Sequence, residues 1–157
     1  MTSVFRLLRK PFSASPFDGE GSFRFGGRWS KPGIRVVYTA EHLSLAMIEY
    51  LVHVDADNPP ADLMLAAAEI PDSISRVHIL SRDLPPNWRQ YPAPEALAAI
   101  GDAFATAMQA AILIVPSALA VTENNWILNP AHPDFRGITI KPAEPFQYDP
   151  RLLSRRR

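Results

Sequence analysis

Apolar residues run along this chain in short bursts separated by proline and glycine, and the spacing inside each burst predicts an element. Val4 to Leu8 reads as an opening strand. Residues 11–33 hold Pro11, Pro16, Gly19, Gly21, Gly26, Gly27, Pro32 and Gly33, which forbids long regular structure. Arg35–Thr39 has the β-branched and aromatic content of a strand, and Leu43–Val54 reads as a helix with Ser44 or Glu41 near its start. Asp55–Asp62 is a turn around Asn58-Pro59-Pro60. Leu63–Ile70 fits either type, its alanines favouring helix and its flanking turns and Pro71 favouring strand. A strand at Ser75–Leu80 leads to a proline-rich loop, Leu84–Pro94, around Trp88. Glu95–Ala111, alanine-rich and opened by Pro94, is the best helix in the chain. Ile112–Val115 is an apolar buried strand, Asn124–Phe135 a loop, Ile138–Ile140 a last strand, and the end is irregular. The expectation is an α+β fold: one compact domain over 1–157, with short mixed strands unsuited to a doubly wound nucleotide fold and residues 153–157 as a flexible basic tail.

Composition narrows the function classes. A chain of 157 residues, 47% hydrophobic and 20% charged, is an ordinary soluble domain in its proportions. No apolar run approaches the roughly 20 residues of a membrane span. The basic start lacks the apolar run of roughly 7–15 residues that a secretory signal needs. A cytoplasmic protein without a membrane role is expected, and the absence of cysteine excludes disulfides and thiolate chemistry. Sixteen Lys and Arg balance sixteen Asp and Glu; without Arg155, Arg156 and Arg157, residues 1–154 carry −3 (13 minus 16). Duplex-binding proteins show a basic footprint, so direct nucleic-acid binding is not expected. The four histidines, at 42, 53, 78 and 132, have no metal-ligand spacing.

Three residues stand where ordinary structure would choose something else. Arg28 follows Gly26-Gly27; glycines let backbone approach an anion, and a guanidinium matches phosphate with a two-pronged donor fork. A β-turn bearing a surface arginine is the plain alternative. Glu49 sits inside Leu45-Ala46-Met47-Ile48-Glu49-Tyr50-Leu51-Val52, where a carboxylate is costly unless partnered. Pairing with His53 one turn on would make it a solvent-facing residue instead. Ser117 follows Ile112-Leu113-Ile114-Val115-Pro116, at the junction where functional groups often sit, but without the Gly-x-Ser-x-Gly elbow of a hydrolase nucleophile. A ligand hydrogen bond and a simple turn are both open to it. Tyr38 ends its strand as either a stacking platform or a core residue. The run Asn124-Asn125-Trp126, with Asn125 as a candidate binding residue, fits a pocket rim or a self-locked Asx loop.

The ordered set Gly26-Gly27-Arg28-Trp29, Val37-Tyr38-Thr39-Ala40, Ser44 through Glu49, Val115-Pro116-Ser117, Asn129 through Phe135 and the closing Phe146 through Leu152 resembles the RES-domain toxins, named for an Arg, a Glu and a Ser. It departs at Ser30, where the family more often has Asn. The resemblance covers nearly the whole chain. It implies the toxin of a bacterial type II toxin–antitoxin system, an NAD+-consuming enzyme with a mixed α/β core similar to ADP-ribosyltransferases. It also implies an antitoxin partner with a helix-turn-helix DNA-binding domain. The named residues carry over to Arg28, Glu49 and Ser117, with Tyr38, Gly27 and Asn125 as further binding candidates and no metal. In the implied roles, Arg28 holds the pyrophosphate and Glu49 stabilises the ribosyl cation. Tyr38 shapes the nicotinamide pocket, and Ser117 hydrogen-bonds the nicotinamide side of the ligand. The acceptor of ADP-ribose is a protein, water or phosphate. Two other classes compete: a ribonuclease-type toxin using Arg28, Tyr38, Glu49 and His132, and a non-catalytic binding module.

Overall fold

The computed structural model describes residues 1–154, so Arg155–Arg157 of the expected basic tail lie outside the described residues. The strands are β1 (Thr2–Arg9), β2 (Val37–Ala40), β3 (Leu63–Ile70), β4 (Arg76–His78), β5 (Ile112–Pro116), β6 (Asn124–Leu128), β7 (Thr139–Ile140) and β8 (Glu144–Pro145). The α-helices are α1 (Glu20–Phe25), α2 (Leu43–Leu51), α3 (Glu95–Ala107) and α4 (Pro150–Leu153). All strands join one sheet in the order β4-β5-β6-β2-β1-β3-β7, with β8 also on β3. Only β4 and β5 are parallel; the other neighbours are antiparallel. The mixed α/β class is as expected.

The sheet is nearly parted in its middle. β1 and β3 pair along their full length, from Thr2 with Ile70 to Arg9 with Leu63. β1 and β2 share a single register pair, Phe5 with Ala40. Beyond it the two strands diverge, and the seam separates β4-β5-β6-β2 from β1-β3 with its edge strands. This seam splits the sheet, and the strands are not uniformly short: β1 and β3 are eight residues each.

One sheet face carries Val4, Leu8, Val37, Ala66, Ala68, Ile112, Ile114, Trp126 and Leu128, closed over by Phe17, Ile74 and Ile138. The opposite face is covered in two parts. α3 brings Leu97 onto Leu113, Val115 and Ile127 together with Trp29 and Trp88. α2 sets Leu45 and Ala46 against Ala40 and Phe5, and Met47 and Tyr50 against Leu7 and Leu63. Two helices on one face, on either side of a weak seam, leave a cleft whose floor is the sheet.

Several elements depart from expectation for physical reasons. Leu63–Ile70 is a strand because its alternate residues Ala66, Ala68 and Ile70 are buried at a two-residue period. Residues 124–128, expected as loop, form β6 between β5 and β2; Trp126 and Leu128 fill one face while Ile127 fills the other. α1 is a single short helix within the glycine-rich 11–33 stretch. α3 stops at Ala107, where Met108 takes a left-handed φ of 55° and the chain turns to bond Ala111 to Ser75. Leu153 closes α4 and packs with the Leu7–Leu63–Tyr148 cluster, so it is not part of a free tail.

α3 crosses the 26–31 segment at Gly101, where a Cβ would lie 1.6 Å from the Trp29 carbonyl oxygen. That contact is with backbone and cannot be relieved by a rotamer change. Alanine is the better helix former by about 1 kcal/mol, which offsets only part of the clash. Gly101→Ala is therefore expected to cost about 3 kcal/mol net, at the upper end for overpacking. For a chain of this size that lowers the melting temperature by about 10 °C, which calorimetry would read directly.

Candidate active site

The cleft over the seam has a volume of about 370 Å³. Its floor comes from Phe5, Arg6, Tyr38, Thr39 and Asn125, one wall from α2, and the other from Gly26 to Trp29. On α2, Ala46, Glu49 and Tyr50 are spaced three and four apart and so share one face, which His53 continues past the helix end.

Glu49 is held from the sheet side. Its Oε1 accepts from Ser117 Oγ at 2.6 Å and from Asn125 Nδ2 at 2.8 Å. Ser117 is fully buried, and its Oγ accepts from the backbone N–H groups of Leu119 and Ala120, each at 3.1 Å. With its lone pairs taken by those amides, the hydroxyl directs its proton to Glu49. Asn125 reaches the same oxygen because β6 carries it on the cleft face, next to Ala40 and Val115. A carboxylate on an apolar helix is thus fixed in place by two donors from the ends of two adjacent strands.

The opposite wall is a tight hairpin. Gly27 N donates to Ser30 O at 2.9 Å and Ser30 N returns a bond to Gly27 O at 3.4 Å, with Arg28 and Trp29 at the tip. Gly26 enters it at φ +67°, a region that favours glycine. Gly27 has no room for a side chain: a Cβ there would lie 2.7 Å from the Tyr38 ring and hydroxyl. The Tyr38 hydroxyl in turn accepts from Trp29 N at 3.0 Å and lies 2.7 Å from Ser30 Oγ. Burial pushes its pKa up to about 12, so it stays a neutral phenol at any physiological pH. Trp29 is buried in the core, and Lys31 N bonds Asp102 on α3 at 3.0 Å. On this rigid tip Arg28 donates from Nη1 to the carbonyls of Trp88 at 2.9 Å and Gln90 at 3.0 Å. Its partners are neutral carbonyls, so its charge is available to an anion in the cleft.

Among the described residues no group of three or more His, Asp or Glu is placed to hold a metal ion, and no helix is long and apolar enough to cross a membrane.

An ordered match accompanies this geometry. The RES domain family profile covers residues 3–149. The chain belongs to the RES domain family. It is 33% identical to the Prs ADP-ribosylating toxin of a Sphingobium species over 97% of both chains. It is 36% identical to Toxin Res of Yersinia enterocolitica, over 95% of this chain and 98% of that one. A chain in the crystal structure of the M. tuberculosis MbcT–MbcA toxin–antitoxin complex shares the fold with a TM-score of 0.76, over 97% of this chain and 86% of that chain, at 17% identity.

In this RES domain the residues singled out from sequence fall into two groups. Glu49, Ser117 and Asn125 form one bonded cluster. Gly27, Arg28 and Tyr38 form the facing wall. Glu49 turns to Ser117 and Asn125 in place of the His53 pairing. His132, considered for acid–base work, accepts from Asp134 N in a loop and does not line the cleft. Sequence reasoning missed Arg6, Tyr50 and His53 as cleft residues. For Arg6 the available signal was an arginine within the apolar opening strand. Its guanidinium donates to Pro16 O at 2.8 Å, its Nε is buried without a partner, and burial lowers its pKa to about 10, still fully charged at neutral pH.

Removing the Ser117 hydroxyl separates positioning from binding. Ser117→Ala leaves two part-buried backbone N–H groups without their acceptor and Glu49 with one donor, a stability loss toward the lower end of about 1–3 kcal/mol. If NAD+ is the substrate, kcat is expected to fall about tenfold with KM little changed, since the buried hydroxyl acts through Glu49; steady-state kinetics would show the split.

Proposed function

We propose that this RES domain is the toxin of a bacterial toxin–antitoxin system that cleaves the nicotinamide–ribose bond of NAD+ and passes ADP-ribose to an acceptor. The observation that carries this reading is the fixed Glu49 carboxylate facing Arg28 across a cleft of nucleoside size. The chemistry follows from that polarity. The C1′–N bond breaks heterolytically, and its electron pair moves to the nicotinamide nitrogen, which loses its pyridinium charge and leaves as neutral nicotinamide. Positive charge builds on C1′ and the ring oxygen, as in glycoside cleavage. With Oε1 held by Ser117 and Asn125, Oε2 is the carboxylate oxygen left to meet ribose hydroxyls and the developing cation. Arg28, on its rigid hairpin, holds the pyrophosphate. Tyr38, neutral and pinned beneath Gly27, shapes the nicotinamide end.

The acceptor we favour is a protein side chain, supported by the 33% identity to a Prs ADP-ribosylating toxin. A cytoplasmic antitoxin with a helix-turn-helix domain is the partner implied by the family, in keeping with the toxin–antitoxin complex that shares the fold. Ribonuclease chemistry has less support, because His132 lies away from the cleft. Mass spectrometry of cell proteins incubated with the purified chain and NAD+ tests the acceptor. A discrete added ADP-ribose on one protein, matched by nicotinamide, is expected. Free ADP-ribose alone would assign the acceptor to water, and unchanged NAD+ would reject the function.

A further inference from the structure

The Glu49 cleft, at about 370 Å³, is near the small end of ligand cavities, which run from about 300 to 1,000 Å³. It suits one nucleoside, whereas a dinucleotide brings two nucleosides and a pyrophosphate. A second chamber of about 770 Å³ adjoins it. The two share Gly26, Gly27, Arg28, His53 and Ala118, so the Arg28 hairpin is the boundary between them.

One wall of the second chamber is the proline-rich loop 85–93, whose side chains have no role in the chemistry above. Its backbone and side chains have different tasks. The carbonyls of Trp88 and Gln90 grip Arg28, while Arg89 and Tyr91 line the chamber. Trp88 is buried and anchors the loop in the α3 core. Arg89 Nε donates to Ala118 O at 3.1 Å, which ties the loop to the turn that follows Ser117. Tyr91 is 82% exposed and Phe25 81% exposed, two large aromatic rings on the lining of one cavity. What sets these two apart is that they line one chamber together with Arg28 and Arg89, where an exposed aromatic face can stack on a planar base.

Charge distinguishes the chambers. The first contains the carboxylate of Glu49 beside Arg6 and the shared Arg28. The second contains Arg28 and Arg89, with no Asp or Glu in its lining. A third cavity beyond Tyr50 and His53 sets Arg9 beside Asp55, and Arg9 is already paired with Asp62, so it offers phosphates less unbalanced positive charge than the second chamber.

We infer that the second chamber is the adenylate subsite: the pyrophosphate passes between Arg28 and Arg89, and the adenine ring stacks against Tyr91. The inference rests on the NAD+ reading above and adds to it the residues that select the non-reacting half of the substrate. Binding energy taken from that half would hold the reacting half against Glu49.

Calorimetric titration of the intact chain with two probes tests it: ADP, which carries only the adenylate half, and nicotinamide mononucleotide, which carries only the reacting half. Tyr91→Ala, Arg89→Ala and the double variant are compared with wild type, and circular dichroism checks the fold. The double variant is expected to bind ADP about ten- to a hundredfold more weakly, the range for losing base stacking, with mononucleotide affinity unchanged. ADP affinity unchanged in the double variant would overturn the subsite even if wild type cleaves NAD+. Equal losses towards both probes would also overturn it, reducing the loop to a support for Arg28. Failure of wild type to bind either probe or to cleave NAD+ would instead remove the underlying reading, and the subsite with it.

Discussion

Glu49→Gln is expected to lower nicotinamide release from NAD+ about a thousandfold while the protein stays folded. The substitution keeps the shape of the side chain and an oxygen that can still accept from Ser117 Oγ and Asn125 Nδ2. What it removes is the negative charge beside the developing ribosyl cation. A unit charge pair about 4 Å apart at an effective dielectric constant of about 20 is worth about 4 kcal/mol. At 1.36 kcal/mol per decade that is about three orders of magnitude in rate. The loss should appear in kcat, because ground-state ribose hydroxyls can still bond to an amide. Nicotinamide release with unchanged thermal unfolding reads both halves of the expectation. A variant retaining more than a tenth of the rate would show that the carboxylate charge is not what drives bond breaking.

Arg28→Ala is expected to weaken binding of NAD+ and ADP-ribose by about ten- to a hundredfold, the worth of roughly 1.5–3 kcal/mol for hydrogen bonds to a charged group. The hairpin itself should survive, because its form depends on the Gly27–Ser30 pair, the buried Trp29 and the bonds to Tyr38 and Asp102. Arg28→Lys should recover little. The guanidinium is oriented by the Trp88 and Gln90 carbonyls while still offering donors to phosphate, and an ammonium cannot hold that planar fork. Titration with ADP-ribose separates this binding loss from the rate loss at Glu49.

The site was more legible in the sequence than the fold that assembles it. Glu49 stood out because a carboxylate among apolar helix residues demands a partner, and Ser117 because it closes an apolar strand. What no local pattern revealed was that those two demands meet each other, 68 positions apart. That contact depends on β6, and β6 opens with two asparagines, which strands disfavour, so its place between β5 and β2 could not be read from propensity. Local sequence marks Asn125 as a polar residue of a loop; its direction comes from the strand. Leu63–Ile70 was ambiguous for a related reason. Its alanines suit a helix in isolation, and only full-length pairing with β1 decides for a strand. Along the chain the hairpin glycines offer freedom for a backbone to approach an anion. Gly27 is required more immediately by the Tyr38 ring beneath it, a tertiary contact invisible along the chain. Arg6 is overlooked because a strand arginine ordinarily faces solvent, and its one local sign, a place among the apolar residues of the opening strand, does not say that it meets a cleft.

Nicotinamide release from NAD+ by the purified chain, free of any antitoxin and assayed with and without cell lysate, tests the proposed bond cleavage most directly. Release matched by loss of NAD+ and by ADP-ribose, free or protein-bound, is the expected result. NAD+ that stays intact under both conditions with a correctly folded chain would contradict cleavage of the nicotinamide–ribose bond and, with it, the roles given to Glu49 and Arg28.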